Sequence, residues 1–337
     1  MGACRLQSAR YRKRYLIAIM APPPFTKNTF AQMDMALSMQ SQSSSGSHRM
    51  AIVALKAFGD LVIAVNCIER RSPAFREKIE ILLGRHLCLL FEALETKIPA
   101  FVVDHGEANL PSLFTWKKDG SVKAMKSAVG LRRAVRSAGL PANRDLLFDH
   151  LGPRERFVTL GFQQRSISKN ENIYLSYDRF FDAIDPVAAD VDCAGPVTGP
   201  LRIFPGSRVP AKNLPRTLIE AIIERANTRG IEVELMLLDG ERPDLEVLPL
   251  PSKHVPRSFE AMIAAVRGAG RIISADSMPA HIAEHTARPM FVFSPVHNRY
   301  WLPRAAFMRG WDALFDEGAN SPKLSAFIDA ALEAPNR

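Results

Sequence analysis

The sequence predicts an α/β protein of two doubly wound, Rossmann-like domains facing a central cleft, and three observations carry that expectation. Short apolar segments of strand length alternate with helical segments from Ala51 onward, as in parallel sheets with crossover helices. A cluster of chain breakers interrupts the alternation once, at Asp185-Pro186, Gly195-Pro196 and Gly199-Pro200. The length of 337 residues exceeds what one hydrophobic core usually serves, so two domains of roughly 150 residues are expected.

In chain order, residues 1–49 lack sustained periodicity and include the Gln, Ser and Gly run from Gln40 to Ser47, so they read as a disordered basic extension. The first domain is expected over 50–183. Its strands fall at Ala51–Leu55, Ile79–Leu83, Phe101–Asp104 and Leu146–Phe148, and its helices at Leu61–Arg70, about His86–Glu95 and Ser121–Ala138. Residues 184–200 form the interdomain linker. The second domain, 201–337, restarts with strand Leu201–Phe204, helix Arg216–Thr228, strand Glu232–Leu238 and helix Ser258–Val266. Strand Arg271–Ser274, helix Pro279–Thr286 and strand Met290–Phe293 complete it.

A hydrophobic content of 47% excludes wholesale disorder. No apolar run approaches the ~18 to 20 residues that cross a bilayer. The basic cluster Arg10, Arg12, Lys13 and Arg14 imitates a signal peptide, but Leu16–Ala21 is short and Pro22-Pro23-Pro24 ends it. Cys4, Cys67, Cys88 and Cys193 form no CxxC pair, which fits a reducing cytoplasm. The net charge of +9 is concentrated in residues 1–49, with seven Lys/Arg against one Asp, leaving about +3 for the rest. That mildly basic body suits an anionic nucleotide or membrane surface, not specific nucleic-acid recognition.

Three loops could carry chemistry. In Lys56-Ala57-Phe58-Gly59-Asp60, Gly59 permits a tight turn and Asp60 stands near a helix start that stabilises its carboxylate. An ionised Asp60 there serves either as a general base toward a hydroxyl or as a helix cap. In Phe204-Pro205-Gly206-Ser207-Arg208, followed by Lys212, the glycine lets backbone N–H groups approach a phosphate. Ser207, Arg208 and Lys212 add donors and positive charge, although neither GxxxxGK[ST] nor GxGxxG is present. In Ser274-Ala275-Asp276-Ser277-Met278-Pro279-Ala280-His281 a strand runs into a helix whose first N–H groups offer an anion site, with His281 one turn in.

Two further patterns compete. His281, Glu284 and His285 spell HxxEH, the spacing of a zinc hydrolase. Asp190-Val191-Asp192 is a DxD, which in some transferases holds a metal-nucleotide complex, but it sits in the breaker-rich linker. Glu241, in Asp239-Gly240-Glu241 after a strand, is a candidate for ribose hydroxyls or a plain solvated loop residue.

Taken in this order, the loops resemble glycosyltransferase family 9, which includes lipopolysaccharide heptosyltransferases. The carriers are Ala51 to Leu61 with Gly59-Asp60, Asp145 to Gly152, Pro205-Gly206-Ser207 with Lys212, and above all Asp276 to Ala283 followed by Arg288-Pro289 and Phe293-Ser294-Pro295. The chain departs from the family pattern in carrying Met278 where glycine is usual, and Phe293-Ser294-Pro295 where Phe-Gly-Pro is usual.

The resemblance implies the GT-B architecture and an inverting transfer of a heptose or hexose from a nucleotide diphosphate sugar, without an obligatory metal or other cofactor. Asp60 would be the catalytic base. Gly206, Ser207, Arg208, Lys212, Asp276, Ser277, Met278 and His281 would bind the donor diphosphate, and Glu241 the ribose. The implied acceptor is a glycan or glycolipid of lipopolysaccharide type, with the protein cytoplasmic and peripheral at the inner face of the cytoplasmic membrane. A non-catalytic nucleotide-sugar binding or assembly protein of the same fold is the alternative, and the zinc hydrolase a distant one.

Overall fold

Parallel pairing organises the residues described by this computed structural model, 49–104, 120–169, 171–186, 199–246 and 251–330. The first sheet comprises β1 (Met50–Ala54), β2 (Ile79–Gly84), β3 (Ala100–Val103), β4 (Asp145–Phe148) and β5 (Gln163–Ser166), in the order β3-β2-β1-β4-β5. The register sets Ile52 opposite both Ile81 and Leu147. The second sheet comprises β6 (Leu201–Phe204), β7 (Val233–Leu238), β8 (Ser252–Val255), β9 (Arg271–Ala275), β10 (Met290–Ser294) and β11 (Asp312–Leu314), in the order β11-β10-β9-β6-β7-β8. Each order reverses direction once, between β1 and β4 and between β6 and β9, which is the doubly wound pattern expected from the sequence.

The helices are α1 (Phe58–Glu69), α2 (Pro73–Arg76), α3 (Cys88–Ala93), α4 (Ser121–Ser137), α5 (Pro153–Val158) and α6 (Ile173–Asp182), then α7 (Arg216–Asn227), α8 (Pro243–Glu246), α9 (Phe259–Arg267), α10 (Met278–His285), α11 (Arg304–Arg309) and α12 (Pro322–Asp329). Side-chain caps start several of them. Ser72 accepts from the Phe75 N–H, Asn172 from Tyr174 and Ser258 from Ala261, each satisfying an orphan donor of the first turn.

Several elements differ from expectation. α1 begins at Phe58, so Gly59 and Asp60 lie inside its first turn and not in a preceding loop. The helix expected near His86–Glu95 is a short 3-10 turn, Arg85–Leu87, followed by α3. β5, β8 and β11 lack the apolar signature because each is the outer strand of a sheet; Gln163-Gln164-Arg165-Ser166 leans on one neighbour only. α6 also escaped the sequence reading. The expected disordered extension falls, apart from Arg49, outside the described residues, as do Cys4, Cys193, Asp190 and Asp192 and most of the linker. Cys67 and Cys88 are free thiols, and among the described residues no helix is long and apolar enough to cross a membrane.

α1 joins the two sheets. Every residue from Leu61 to Ile68 is buried, because one side faces the first sheet and the other faces α10 of the second. One apolar cluster consequently runs from Ile52 and Ile81 through Ile63 and Tyr174 to Ile282 and Val292. Truncating one of the large aliphatic residues here to alanine costs about 2–5 kcal/mol, since a packed interior closes only partly over the cavity.

A buried charge cluster sits within this junction. Arg304 is 1% exposed. Its Nε and Nη2 donate to the two carboxylate oxygens of Asp178 on α6 at 2.8 and 3.0 Å. Its Nη1 reaches Glu284 Oε1 on α10 and Asn66 Oδ1 on α1, both at 3.3 Å. The second Glu284 oxygen accepts the Ala305 N–H at 2.9 Å. Arg71 also donates to Asp178, at 3.0 Å, so one carboxylate bridges two guanidinium groups, with Asp182 on Arg71 and Glu284 on Arg304 completing the charge balance.

Removing one partner of such a cluster strands the others without compensation. Arg304→Met is therefore expected to lower the unfolding free energy by about 3–5 kcal/mol in guanidinium titrations. Pairing it with Glu284→Gln should recover part of that loss. A single-variant loss below about 1 kcal/mol would refute the central role given to Arg304.

Candidate active site

The strand-order reversals place the functional loops. Ligands of open parallel sheets bind beyond the carboxyl ends of the strands, where the order changes direction. The loops after β1, β6 and β9 emerge at those points and line one cleft of about 820 Å³ between the two sheets. Asp60, Gly206, Ser207, Arg208, Lys212, Glu241, Asp276, Ser277, Met278 and His281 all line it, so the cleft gathers every residue that the family resemblance implied for the transfer site.

Asp60 is the third residue of α1, whose N-cap, Ala57, provides no side-chain cap. A helix start alone favours the ionised carboxylate. The outcome is the reverse: burial first, then the Asp149 carboxylate at the end of β4, raise the Asp60 pKa to about 7 against the opposing pull of Lys56 and the Ala57 backbone. Lys56 is shared out elsewhere, with its Nζ 3.2 Å from Glu155 and 3.8 Å from Asp149. The result is a carboxyl poised to exchange a proton near neutral pH.

Gly59 has a different role from the one expected. It does not occupy the left-handed region, and the edge of the His281 ring lies over its Cα, so a Cβ there would meet His281 Cδ2 at 3.4 Å. That is ordinary van der Waals contact, so Gly59 marks where the second domain's imidazole packs against the first turn of α1.

The loop between β6 and α7 is closed on itself. The Leu214 N–H donates to the Pro205 carbonyl at 2.9 Å, Asn213 Oδ1 accepts the Ser207 N–H at 2.8 Å, and Ser207 Oγ accepts the Val209 N–H at 3.3 Å. Buried Arg242 holds both ends of the loop, donating to the carbonyls of Leu214 at 2.9 Å and Pro205 at 3.4 Å while its other edge forks onto Asp244. Glu241 folds back over Gly206 so closely that a Cβ would collide with its carboxylate. Burial raises the Glu241 pKa, with Arg257 and Arg242 opposing. Arg257 joins it in lining the cleft.

The third loop faces the second. Lys212 Nζ lies 2.7 Å from Asp276 Oδ2. Ser277 Oγ donates to the Gly206 carbonyl at 3.1 Å, tying the two loops together, and makes no cap to its own helix. Pro279 has no N–H and the Ala280 N–H donates to the Ser277 carbonyl at 3.1 Å, so in the first turn of α10 the Met278 N–H is the donor left for the cleft. Met278 occupies the first helical position, where an L-residue is unstrained, and it packs partly against the apolar junction. His281 is 7% exposed, and its Nδ1 is 3.0 Å from the hydroxyl of Tyr174. Burial lowers its pKa to about 4, opposed by Asp276 and reinforced by Lys212, so the ring is neutral at pH 7.

The HxxEH spacing does not gather a ligand set. His281 binds Tyr174, Glu284 is committed to Arg304 and the Ala305 N–H, and His285 lies 3.7 Å from Glu69. That corrects the zinc alternative: the spacing is a helical coincidence. Asn213, Arg242, Asp149 and Tyr174 support the site without having been singled out for it. Of these only Asp149 carried a sequence signal, as the end of a strand next to Gly152.

No family model matches the sequence, and no curated protein does either. Solved structures do. The glycosyl transferase family 9 protein from Veillonella parvula superposes with a TM-score of 0.53 at 13% identity, over 79% of this chain and 85% of its own. The E. coli heptosyltransferase WaaC with ADP gives a TM-score of 0.56 at 12% identity, over 85% of this chain and 100% of its own. The same enzyme with ADP-2-deoxy-2-fluoro heptose gives 0.56 at 14% identity, over 84% and 99%. Two parallel sheets, their strand orders and these superpositions together establish that the chain has the GT-B fold of family 9 glycosyltransferases, heptosyltransferases among them.

Proposed function

We propose that the protein is an inverting glycosyltransferase that moves a sugar from a nucleotide diphosphate onto a hydroxyl of a glycan or glycolipid. One juxtaposition carries the reading. A carboxyl titrating near neutrality, Asp60, shares a cleft with Lys212, Arg208 and Met278 at the start of α10. In the reaction, ionised Asp60 takes the proton of the acceptor hydroxyl while its oxygen bonds to the anomeric carbon. The bond from that carbon to the diphosphate breaks, and the nucleoside diphosphate leaves with the electron pair.

Lys212, Arg208, Ser207 and the Met278 N–H stabilise the departing charge, the work a metal ion does in other transferases. Asp276 enters as the anchor of Lys212, since a carboxylate itself repels phosphate. Glu241, whose carboxylate lies next to Gly206, would accept from the ribose hydroxyls. Two structures of the same fold were solved with ADP or an ADP-sugar analogue, which makes an adenosine diphosphate sugar the first donor to test.

The test is acceptor-dependent release of nucleoside diphosphate from a panel of nucleotide sugars. Asp60→Asn should lower turnover about 10²- to 10⁴-fold with donor affinity retained. In the wild-type protein kcat/KM should rise with pH through an apparent pKa near 7, and release in EDTA should equal release in magnesium. Donor binding without release, under any acceptor, would favour the non-catalytic binding protein instead.

The same carboxyl has a stability signature. Its folded pKa of about 7 lies above the ordinary 3.8, so its favourable contribution is complete below 3.8 and is lost as pH rises through 7. Asn mimics the protonated form. Asp60→Asn should therefore melt above the wild-type protein at pH 8, with the difference closing by about pH 4. Equal melting temperatures at pH 8 would contradict the raised pKa.

A further inference from the structure

We propose that Tyr174 is a positioning residue for the transfer site: its hydroxyl donates to Nδ1 of His281 and holds the imidazole in the tautomer whose Nε2–H faces the cleft. There the Nε2–H meets an oxygen of the departing diphosphate. The second statement rests on the glycosyl-transfer reading, whereas the tautomer rests on the geometry of the two side chains.

Tyr174 belongs to α6, 107 positions before His281 in the sequence, and its placement is over-determined. Asn172 caps α6 by accepting the Tyr174 N–H at 2.9 Å, and its Nδ2 donates to the carbonyls of Arg299 at 3.0 Å and Leu302 at 2.8 Å. The start of α6 is thereby pinned to the segment that precedes α11. The Tyr174 ring is 0% exposed, with the Arg304 guanidinium 5.2 Å from its centroid on one side and the His281 ring on another. Its hydroxyl has little freedom beyond the 3.0 Å contact to Nδ1.

The direction of that hydrogen bond follows from what each group can spare. Burial, with Glu284 and Cys67, holds the Tyr174 phenol well above its ordinary pKa, so it keeps its proton. His281 is neutral and carries a single N–H. If the imidazole donated through Nδ1, the buried phenol proton would lose that partner, and leaving a buried donor unmade costs about 1–3 kcal/mol. With the phenol donating, Nδ1 accepts and the imidazole proton resides on Nε2.

The Nε2 edge is the one that matters. A Cβ at Gly59 would stand 3.4 Å from Cδ2 and 3.7 Å from Nε2, so this edge lies over the Gly59-Asp60 turn, and the ring lines the cleft with Lys212 and Asp276. A neutral Nε2–H donates a hydrogen bond to a phosphate oxygen without transferring its proton. The opposite tautomer would turn a lone pair toward the same oxygen and repel it.

The experiment uses the full chain labelled with 15N-histidine, with long-range 1H–15N spectra recorded at pH 7 and His281 assigned by loss of its signals in His281→Gln. The wild-type protein should show His281 protonated on Nε2. In Tyr174→Phe, which keeps the ring against Arg304, the pattern should shift toward a mixture or toward Nδ1–H. A wild-type Nδ1–H form overturns the proposal even if the variant does not fold, and so does a folded variant with an unchanged pattern.

Calorimetry with ADP and adenosine then reads the consequence. Tyr174→Phe should weaken ADP about tenfold and leave adenosine unchanged. An equal loss for both, or none, removes the role at the diphosphate. A wild-type protein that binds no nucleotide in the panel sinks the glycosyl-transfer reading and the Nε2–H contact with it, while the spectra still decide whether Tyr174 sets the tautomer.

Discussion

The guanidinium of Arg304 is the constraint on which the arrangement depends. It is buried at the meeting point of α1, α6, α10 and α11, and it cannot be there alone, because an unpaired charge in that environment costs several kcal/mol. Asp178, Glu284 and Asn66 must therefore arrive together, from both halves of the chain. Apolar packing along α1 supplies most of the attraction between the two sheets, but packing tolerates sliding. A fork of directed hydrogen bonds does not, and it fixes which turn of α1 faces which turn of α10. The position of His281 over Gly59, and so beside Asp60, follows from that register.

The electrostatics of the cleft follow one logic on both sides. Lys212 is held by Asp276, and Lys56 by Glu155 and Asp149. Neither lysine is left to fold away into solvent, so each keeps its place at a modest loss of free charge. Asp60 is treated differently: it lies against the acidic end of β4 and under the roof of the opposite sheet, and its proton is correspondingly hard to remove.

The architecture and the site loops were legible in the sequence because their signals are local. Gly59-Asp60, Pro205 to Lys212 and Asp276 to His281 each follow an apolar strand and precede a helix, and a strand, turn and helix can be recognised within a dozen residues. What was not legible depends on distance. Asn66 and Arg304 are 238 positions apart, and Tyr174 and His281 are 107 apart. Nothing near Arg304 in sequence announces a buried charge, and Tyr174 reads as one more apolar residue. The polar outer strands β5 and β8 were missed for a related reason: with one neighbour each, they carry no continuous apolar run. The raised pKa of Asp60 was hidden as well, since its local setting at a helix start argues the other way and only the assembled cleft reverses it.

α10 carries both Glu284, which grips Arg304, and His281, which faces the cleft, with three residues or about 4.5 Å of helix between them. A point this close to a pivot barely travels when the bodies attached to it swing. Any hinge motion centred on the Arg304 cluster therefore opens the far rim of the cleft widely while leaving the spacing between His281 and Asp60 nearly constant. A bulky ligand can pass through such a mouth without His281 and Asp60 being taken apart.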